Sequence, residues 1–325
     1  MRVFVAGGGA GYIGSCTVEY LLDHGHEVTV FDALLNGHRA AVDPRADFVQ
    51  GNLADLPSLQ AAMDKAQPEG VLHFAAFIEV GESMDKPLKY FQNNVANAIN
   101  LCQAAADHHV RKLVFSSTAA VYGLPESIPV SEEAPCRPIN PYGESKLMFE
   151  RILAWQHQLR GLPYTALRYF NAAGATRLRG EDHHPESHLI PLVMQAAMGV
   201  RPDIKIYGDD YDTPDGTCIR DYIHVLDLAQ AHLLALESDF CGSLNLGTGG
   251  GHSVRQVIDT VREVSGCEFP VVVAPRRPGD PARLTSDSAA AKRILGWQPR
   301  FGDLRDIVRS AWEWRQRNPN GYGDK

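Results

Sequence analysis

Residues 3–14 read "VFVAGGGAGYIG": an apolar run suited to a strand meets glycines at once, and a helix-like stretch from Ile13 to His24 follows. Gly8, Gly11 and Gly14 give the spacing G-x-x-G-x-x-G. Glycines so placed permit a tight turn and let backbone approach a pyrophosphate, which the free N–H groups of a helix N-terminus favour. The next apolar run, "EVTVFD", ends on Asp32, 18 residues after Gly14. A carboxylate there binds both ribose hydroxyls of NAD and repels the 2′-phosphate of NADP. No arginine directly follows Asp32, so NAD is the expected cofactor.

The pattern continues outward. "ADFVQG", "GVLHFAA", "KLVFSS" and "YTALRYFN" are further short apolar runs, separated by the candidate helices Leu56–Ala66, Leu88–His108 and Tyr142–Leu159. This alternation is the rhythm of βαβ units. It predicts an α/β fold: a Rossmann-type, doubly wound parallel sheet with a smaller C-terminal α/β substrate-binding domain. After Asn171 the rhythm gives way to loops such as "ATRLRGEDHHPESH" and "YGDDYDTPDGT". The expected division is residues 1–176 for NAD and 177–325 for the substrate, closely packed and partly interleaved. No repeat, low-complexity linker or disordered tail beyond the last few residues is expected.

The chain has 325 residues, 44% hydrophobic, with a formal charge of −8 and no Lys/Arg run, which argues against nucleic acid and for a small-molecule substrate. Six cysteines lie far apart without zinc-like spacing, so reduced thiols and a cytoplasmic location are expected. The first apolar run is too short for a signal peptide or membrane span.

Chemistry enters at "KLVFSSTAAVYG", where a strand turns polar at Ser116, Ser117 and Thr118. In open α/β sheets ligands bind at the carboxyl ends of strands. The stretch "NPYGESKLMFE", 140–150, then opens a helix with Asn140 as cap and Pro141 in the first position, placing Tyr142 and Lys146 on one face. Alone, such a pair is an ordinary surface feature. Hydroxyl, tyrosine and lysine together resemble the catalytic set of the extended short-chain dehydrogenase/reductase superfamily. A phenol has a pKa of roughly 10, and lowering it by about three units takes some 4 kcal/mol of differential stabilisation. The Lys146 ammonium and the nicotinamide ring are the expected sources, leaving Tyr142 to take a proton from a sugar hydroxyl while Thr118 hydrogen-bonds the same oxygen.

A closer resemblance, nearly the whole chain long, is to the UDP-glucose 4-epimerase family. It is carried in order by "GYIGS", "VGESMDKPLKYFQNNV", "FSSTAAVYG", "PYGESKLMFE", "LRYFNAAGA", "DGTCIRDYIHVLDLA", "LNLGTGGGHSV" and "APRRPGDPA". The resemblance implies oxidation at C4 of a UDP-hexose, rotation of the 4-keto sugar and hydride return to the other face. It also implies a homodimer pairing through the helices at Leu88–His108 and Tyr142, where Met148 and Phe149 suit core or helix packing. It surrounds the cofactor with Tyr12, Ile13, Asp32, Asn36, Asn52, Leu53, Phe74, Ala75, Ala76, Asn93, Ser116, Lys146 and Phe170, besides the three glycines. It assigns the substrate to Thr118, Tyr142, Asn171, His188, Leu189, Tyr207, Arg220, Arg277 and Asp280. Arginine suits this role because its fork binds phosphate oxygens bidentately.

Departures accompany the resemblance. Gly7 stands where the family usually has threonine, predicting a looser loop; Asn52 replaces a common acidic residue; Ile78 replaces a lysine near the nicotinamide; His188 replaces a substrate-binding asparagine; and Leu284 occupies the position that tunes tolerance of N-acetyl groups. Thr118 is followed by Ala119 and Ala120, so the added acid and base of a 4,6-dehydratase or decarboxylase are missing. UDP-N-acetylhexosamine and UDP-uronic acid 4-epimerases remain alternatives. A non-catalytic NAD-binding regulator would have no use for Tyr142, Lys146 and Arg220. The cluster "GEDHHPESH" invites a metal, but consecutive histidines on a Pro-containing loop are expected to point apart, so it is read as a solvated interdomain loop with no metal.

Overall fold

A computed structural model describes residues 1–277 and 279–323; Pro278 of the "APRRPGDPA" block and the last two residues lie outside it. The first half runs β1 (Arg2–Ala6), α1 (Tyr12–Asp23), β2 (Glu27–Asp32), β3 (Asp47–Gln50), α2 (Leu56–Ala66), β4 (Gly70–His73), α3 (Val80–Asp85), α4 (Pro87–Phe91), α5 (Asn97–Asp107), β5 (Lys112–Thr118), α6 (Pro141–Arg160) and β6 (Tyr164–Tyr169). Then follow β7 (Asn171–Ala173), α7 (Leu189–Ala197), β8 (Ile204–Tyr207), β9 (Ile219–Arg220), β10 (Tyr222–His224), α8 (Val225–Glu237), β11 (Gly242–Leu246), β12 (His252–Ser253), α9 (Val254–Ser265), β13 (Val271–Ala274), β14 (Arg283–Leu284), α10 (Ala289–Leu295) and α11 (Leu304–Arg317).

Seven parallel strands form one sheet in the order β11-β6-β5-β4-β1-β2-β3. Side chains alternate across it. Val3 and Val5 enter the core shared with α1 and α8, while Phe4 and Ala6 enter the opposite core with α2, α5 and α6. Every residue of β4, β5 and β6 is buried, as a parallel sheet covered on both faces requires. Strands are added to one side from β1 to β3 and to the other from β4 onward, so the strand order reverses between β1 and β4, and the loops leaving these strands meet: the Phe74 N–H donates to Gly7 O at 3.2 Å. Such a reversal is where doubly wound sheets bind their ligand.

A third core, with Val193, Ile206, Val257, Val261 and Ile307, lies between α7, α9, α11 and the parallel pair β8–β13. Residues 225–246 return to the first half, since α8 shares the core of β1 and β11 extends the main sheet.

One expected helix is not continuous. Leu88–His108 is divided into α4 and α5 by a π-helical turn over Gln92–Ala96. The wide turn gives Asn94 three partners: it accepts the Phe77 N–H (2.9 Å) and donates to Phe77 O (3.1 Å) and Ser145 Oγ (3.0 Å), tying the loop after β4 to α6.

Candidate active site

The glycine loop is built to minimum clearance. A Cβ on Gly14 would stand 1.9 Å from Gly8 O, and one on Gly8 would stand 2.7 Å from Phe74 Cβ. α1 then starts at Tyr12 with no side-chain cap on its first N–H groups. Gly7 is itself closely held. Its N–H donates to Phe31 O at 2.7 Å, its φ is +69°, and a Cβ would meet Ala75 Cβ at 2.5 Å, so in this backbone a side chain would be strained. Asp32 Oδ2 accepts the Ala10 N–H (3.1 Å) and Oδ1 the Leu34 N–H (2.8 Å), leaving each oxygen a lone pair for ribose. Glycine cradle, uncapped helix start and strand-end carboxylate fit NAD.

The other residues predicted for the cofactor fall around this cradle. Asn52 Oδ1 holds the Ala54 N–H at 2.9 Å, Leu53 is buried beside Gly7, and Asn36 is exposed on the loop after β2. Phe74, Ala75 and Ala76 form the facing loop, with the Phe74 ring against His232 and the Asn93 amide donating to Asn94. Tyr12 is buried, and its hydroxyl donates to Gly174 O at 2.5 Å; Ile13 packs beside it.

At the end of β5, the Asn140 side chain caps α6 by accepting the Gly143 N–H at 2.8 Å. Lys146, 2% exposed, donates to Ser116 O at 2.8 Å and lies over the Phe115 ring at 4.8 Å. Ser116 Oγ meets the Tyr169 hydroxyl. Burial pushes the Lys146 ammonium down to about 7, with Glu150 opposing. Tyr142 is half-buried and meets Thr118. Burial raises its pKa, the hydrogen bond with Thr118 opposes, and the Glu79 charge raises it further; Lys146 is turned towards Ser116.

Lys146 makes a testable contribution to stability. An unfolded lysine keeps its proton up to about 10.5, whereas the folded one releases it near 7. Between those values the unfolded chain binds more protons, so stability rises with pH. The unfolding free energy of the wild type should therefore climb relative to Lys146→Met from pH 7 to pH 10. A constant difference would contradict this.

The predicted substrate residues of the second half lie on several elements, Arg220 on β9 beside β14, Tyr207 at the end of β8 and Arg277 just after β13. Arg220 is paired with Asp280 and donates to Ile219 O (2.8 Å) and Pro281 O (2.9 Å), and Arg277 stands 3.9 Å over the Tyr207 ring. Leu284 pairs in register with Arg220 and packs, with Phe170, on the cluster of Val121, Tyr122, Val130 and Leu147. That cluster joins the arginines to the Tyr142 helix. Asn171 begins β7, its N–H donating to Asp221 O. His188 and Leu189 stand at the start of α7, beyond Ser187, whose hydroxyl donates to Glu79 Oε1 at 3.0 Å.

Several supporting residues were not foreseen. Asp221, fully buried, receives the N–H and hydroxyl of Thr248 and of Ser286 and the N–H of Gly249, holding three loops together. Glu150, four residues after Lys146, is paired with Arg168 beneath α6; its helical spacing was visible, its partner was not. The loop read as solvated is also different: Glu181 and Asp182 are buried, as is Arg179 just before it. Arg179 pairs with Glu19 and Asp43, and Trp314 covers Gly180, because α11 folds over this segment.

Fold and site define a dinucleotide-binding α/β protein in which a strand-end threonine hydrogen-bonds a tyrosine of α6, with a buried lysine one turn on held by the same strand end. The chain belongs to the NAD dependent epimerase/dehydratase family, whose model matches residues 3–247. It is 48% identical over 324 residues to a UDP-glucose 4-epimerase of Lacticaseibacillus casei, covering 98% of each chain. A crystal structure of UDP-glucose 4-epimerase superposes with a TM-score of 0.96 at 49% identity, covering 98% of this chain and 99% of that one. The enzyme from Bifidobacterium longum, solved with NAD+ and UDP, gives 0.92 at 37% identity over 98% and 99%.

Proposed function

We propose that this chain is an isomerase that interconverts UDP-galactose and UDP-glucose by reversible oxidation at C4 of the hexose. The observation that carries the reading is the hydrogen bond between Tyr142 and Thr118 at the end of β5, with Lys146 anchored on Ser116 O of the same strand end, in a sheet whose glycine loop fits NAD. Bound NAD supplies a hydride acceptor that returns what it takes, together with positive charge beside the phenol. Tyr142 takes the proton of the C4 hydroxyl and gives it back; Thr118, already bonded to Tyr142, holds that oxygen in line. Lys146, anchored by Ser116 O, supports the phenolate. Ala119 and Ala120 carry no proton, so the sugar is not driven into elimination.

Arg220 and Arg277 bind the diphosphate; Asp280, Tyr207, Asn171, His188 and Leu189 complete the UDP side, and Leu284 borders the sugar. Residues 1–176, joined by 225–246, form the NAD half, and the remaining residues from 177 onward the nucleotide-sugar half. A second copy covers the exposed Leu88, Ile99, Trp155 and Leu159 of α4, α5 and α6, giving a homodimer. No described helix is long and apolar enough to cross a membrane, and the six cysteines are free, which supports a cytoplasmic location.

UDP-galactose carrying deuterium at C4 tests the chemistry. The label should be retained at C4 of the UDP-glucose formed, with none in solvent, because the hydride leaves and returns within one site. Washout into water would contradict the reading, since it would mean that C4 is deprotonated.

A further inference from the structure

The loop between β7 and α7 holds four side chains that the reaction does not use in common. Glu181, His183, Glu186 and His188 each present one ligand atom, all within 4.8 Å of one another. The two carboxylates are enclosed: the Glu181 side chain is 8% exposed and that of Glu186 4%. His183 Nδ1 and His188 Nδ1 approach the same oxygen, Glu181 Oε1, at 3.2 and 2.6 Å. Neither approach has hydrogen-bond geometry. Glu181 Oε1, Glu186 Oε2 and both Nδ1 atoms are buried without a hydrogen-bond partner. Atoms that crowd together yet miss alignment with one another are arranged as ligands around a shared point.

The histidines expected to point apart converge for a local reason. Glu186 Oε1 accepts the N–H groups of Ser187 (2.8 Å) and His188 (2.9 Å), turning the chain back so that His188 faces Glu181 at the start of α7. The His183 ring stands edge-on to Tyr12 at 6.4 Å, so the group lies between α1 and α7.

We propose that Glu181, His183, Glu186 and His188 form a zinc site. Two imidazoles and two carboxylates are a four-coordinate donor set for this borderline ion, and Zn2+ balances the two buried negative charges. Small shifts of side chains already in mutual reach bring each donor to the roughly 2.0–2.2 Å that zinc requires. The ion ties the loop to α7 and fixes His188 through Nδ1. His188 is shared with the substrate side proposed above, but metal binding is read out without that reaction.

The full-length protein, stripped with a chelator, is to be titrated with Zn2+ alone and, separately, with Co2+, whose visible bands report coordination. One Zn2+ per chain and the intense bands of four-coordinate Co2+ are expected. His183→Ala and Glu186→Gln should each weaken Zn2+ binding by more than the roughly 10–100-fold that outer-shell changes cost. His184→Ala, whose side chain is 63% exposed, should bind as the wild type does. Equal Zn2+ affinity in wild type, His183→Ala and Glu186→Gln would overturn the proposal. If the variants do not fold, the wild-type Co2+ spectrum decides: bands of six-coordinate, water-like cobalt or no bound cobalt would overturn it.

Discussion

Tyr142→Phe is expected to lower kcat by roughly 10²–10⁴-fold, the range that a positioned acid/base contributes, while the protein keeps its NAD. The phenol is the group within hydrogen-bond reach of Thr118 that can move a proton at this site, and phenylalanine preserves its ring and packing. The NAD cradle is made elsewhere, by Gly8, Gly11, Gly14 and Asp32, so cofactor content should not change. Because burial and the Glu79 charge hold the phenol up in the protein itself, the lowering that catalysis needs must come from the positive charge that accompanies bound NAD, with Lys146 behind it. Turnover close to wild type in Tyr142→Phe would remove the tyrosine from the mechanism.

The second large effect is on stability. Arg168 donates through Nε and Nη2 to both oxygens of Glu150, and through Nη1 to the Tyr122 hydroxyl at 2.9 Å. Glu150 also accepts from Ser117 and Ser243, and Tyr122 donates to Asn245. This buried network fastens α6, with Tyr142 and Lys146 on it, to β5, β6 and β11. Arg168→Ala leaves the Glu150 carboxylate buried without its partner, which costs about 3–5 kcal/mol. Denaturant titration should show that loss, and Arg168→Ala/Glu150→Leu, which removes the stranded charge, should recover part of it. A loss below about 1 kcal/mol for Arg168→Ala would mean that water relieves the carboxylate and the network does not hold the helix.

Much of the first half was legible in the sequence because its signals are local. Strands of four to seven residues built on short apolar runs, a glycine spacing and an Asn-Pro helix start depend on near neighbours alone, so β1 to β6 fall where the apolar runs do and α6 departs from the Tyr142–Leu159 expectation by a residue at each end. The misses depend on distant partners. The π-helical turn at Gln92–Ala96 exists because Asn94 finds Phe77 and Ser145, neither of which a hydrophobic period reveals. Arg179 lies in a segment of charge and turn formers, and its burial is set by Glu19 and Asp43, more than 130 residues earlier. The burial of Tyr142, which raises its pKa, and the nearby Glu79 charge, which adds to the rise, likewise come from elements distant in sequence. Residue types announced the chemistry; the supporting shell appeared only with the fold.

The most direct test of the central claim is to incubate the protein as purified, without added cofactor, with UDP-galactose and follow the anomeric protons by NMR. The account predicts that UDP-glucose appears, because NAD is regenerated in each turnover and stays in its cradle. UDP-galactose that remains unchanged even after NAD is added would contradict it.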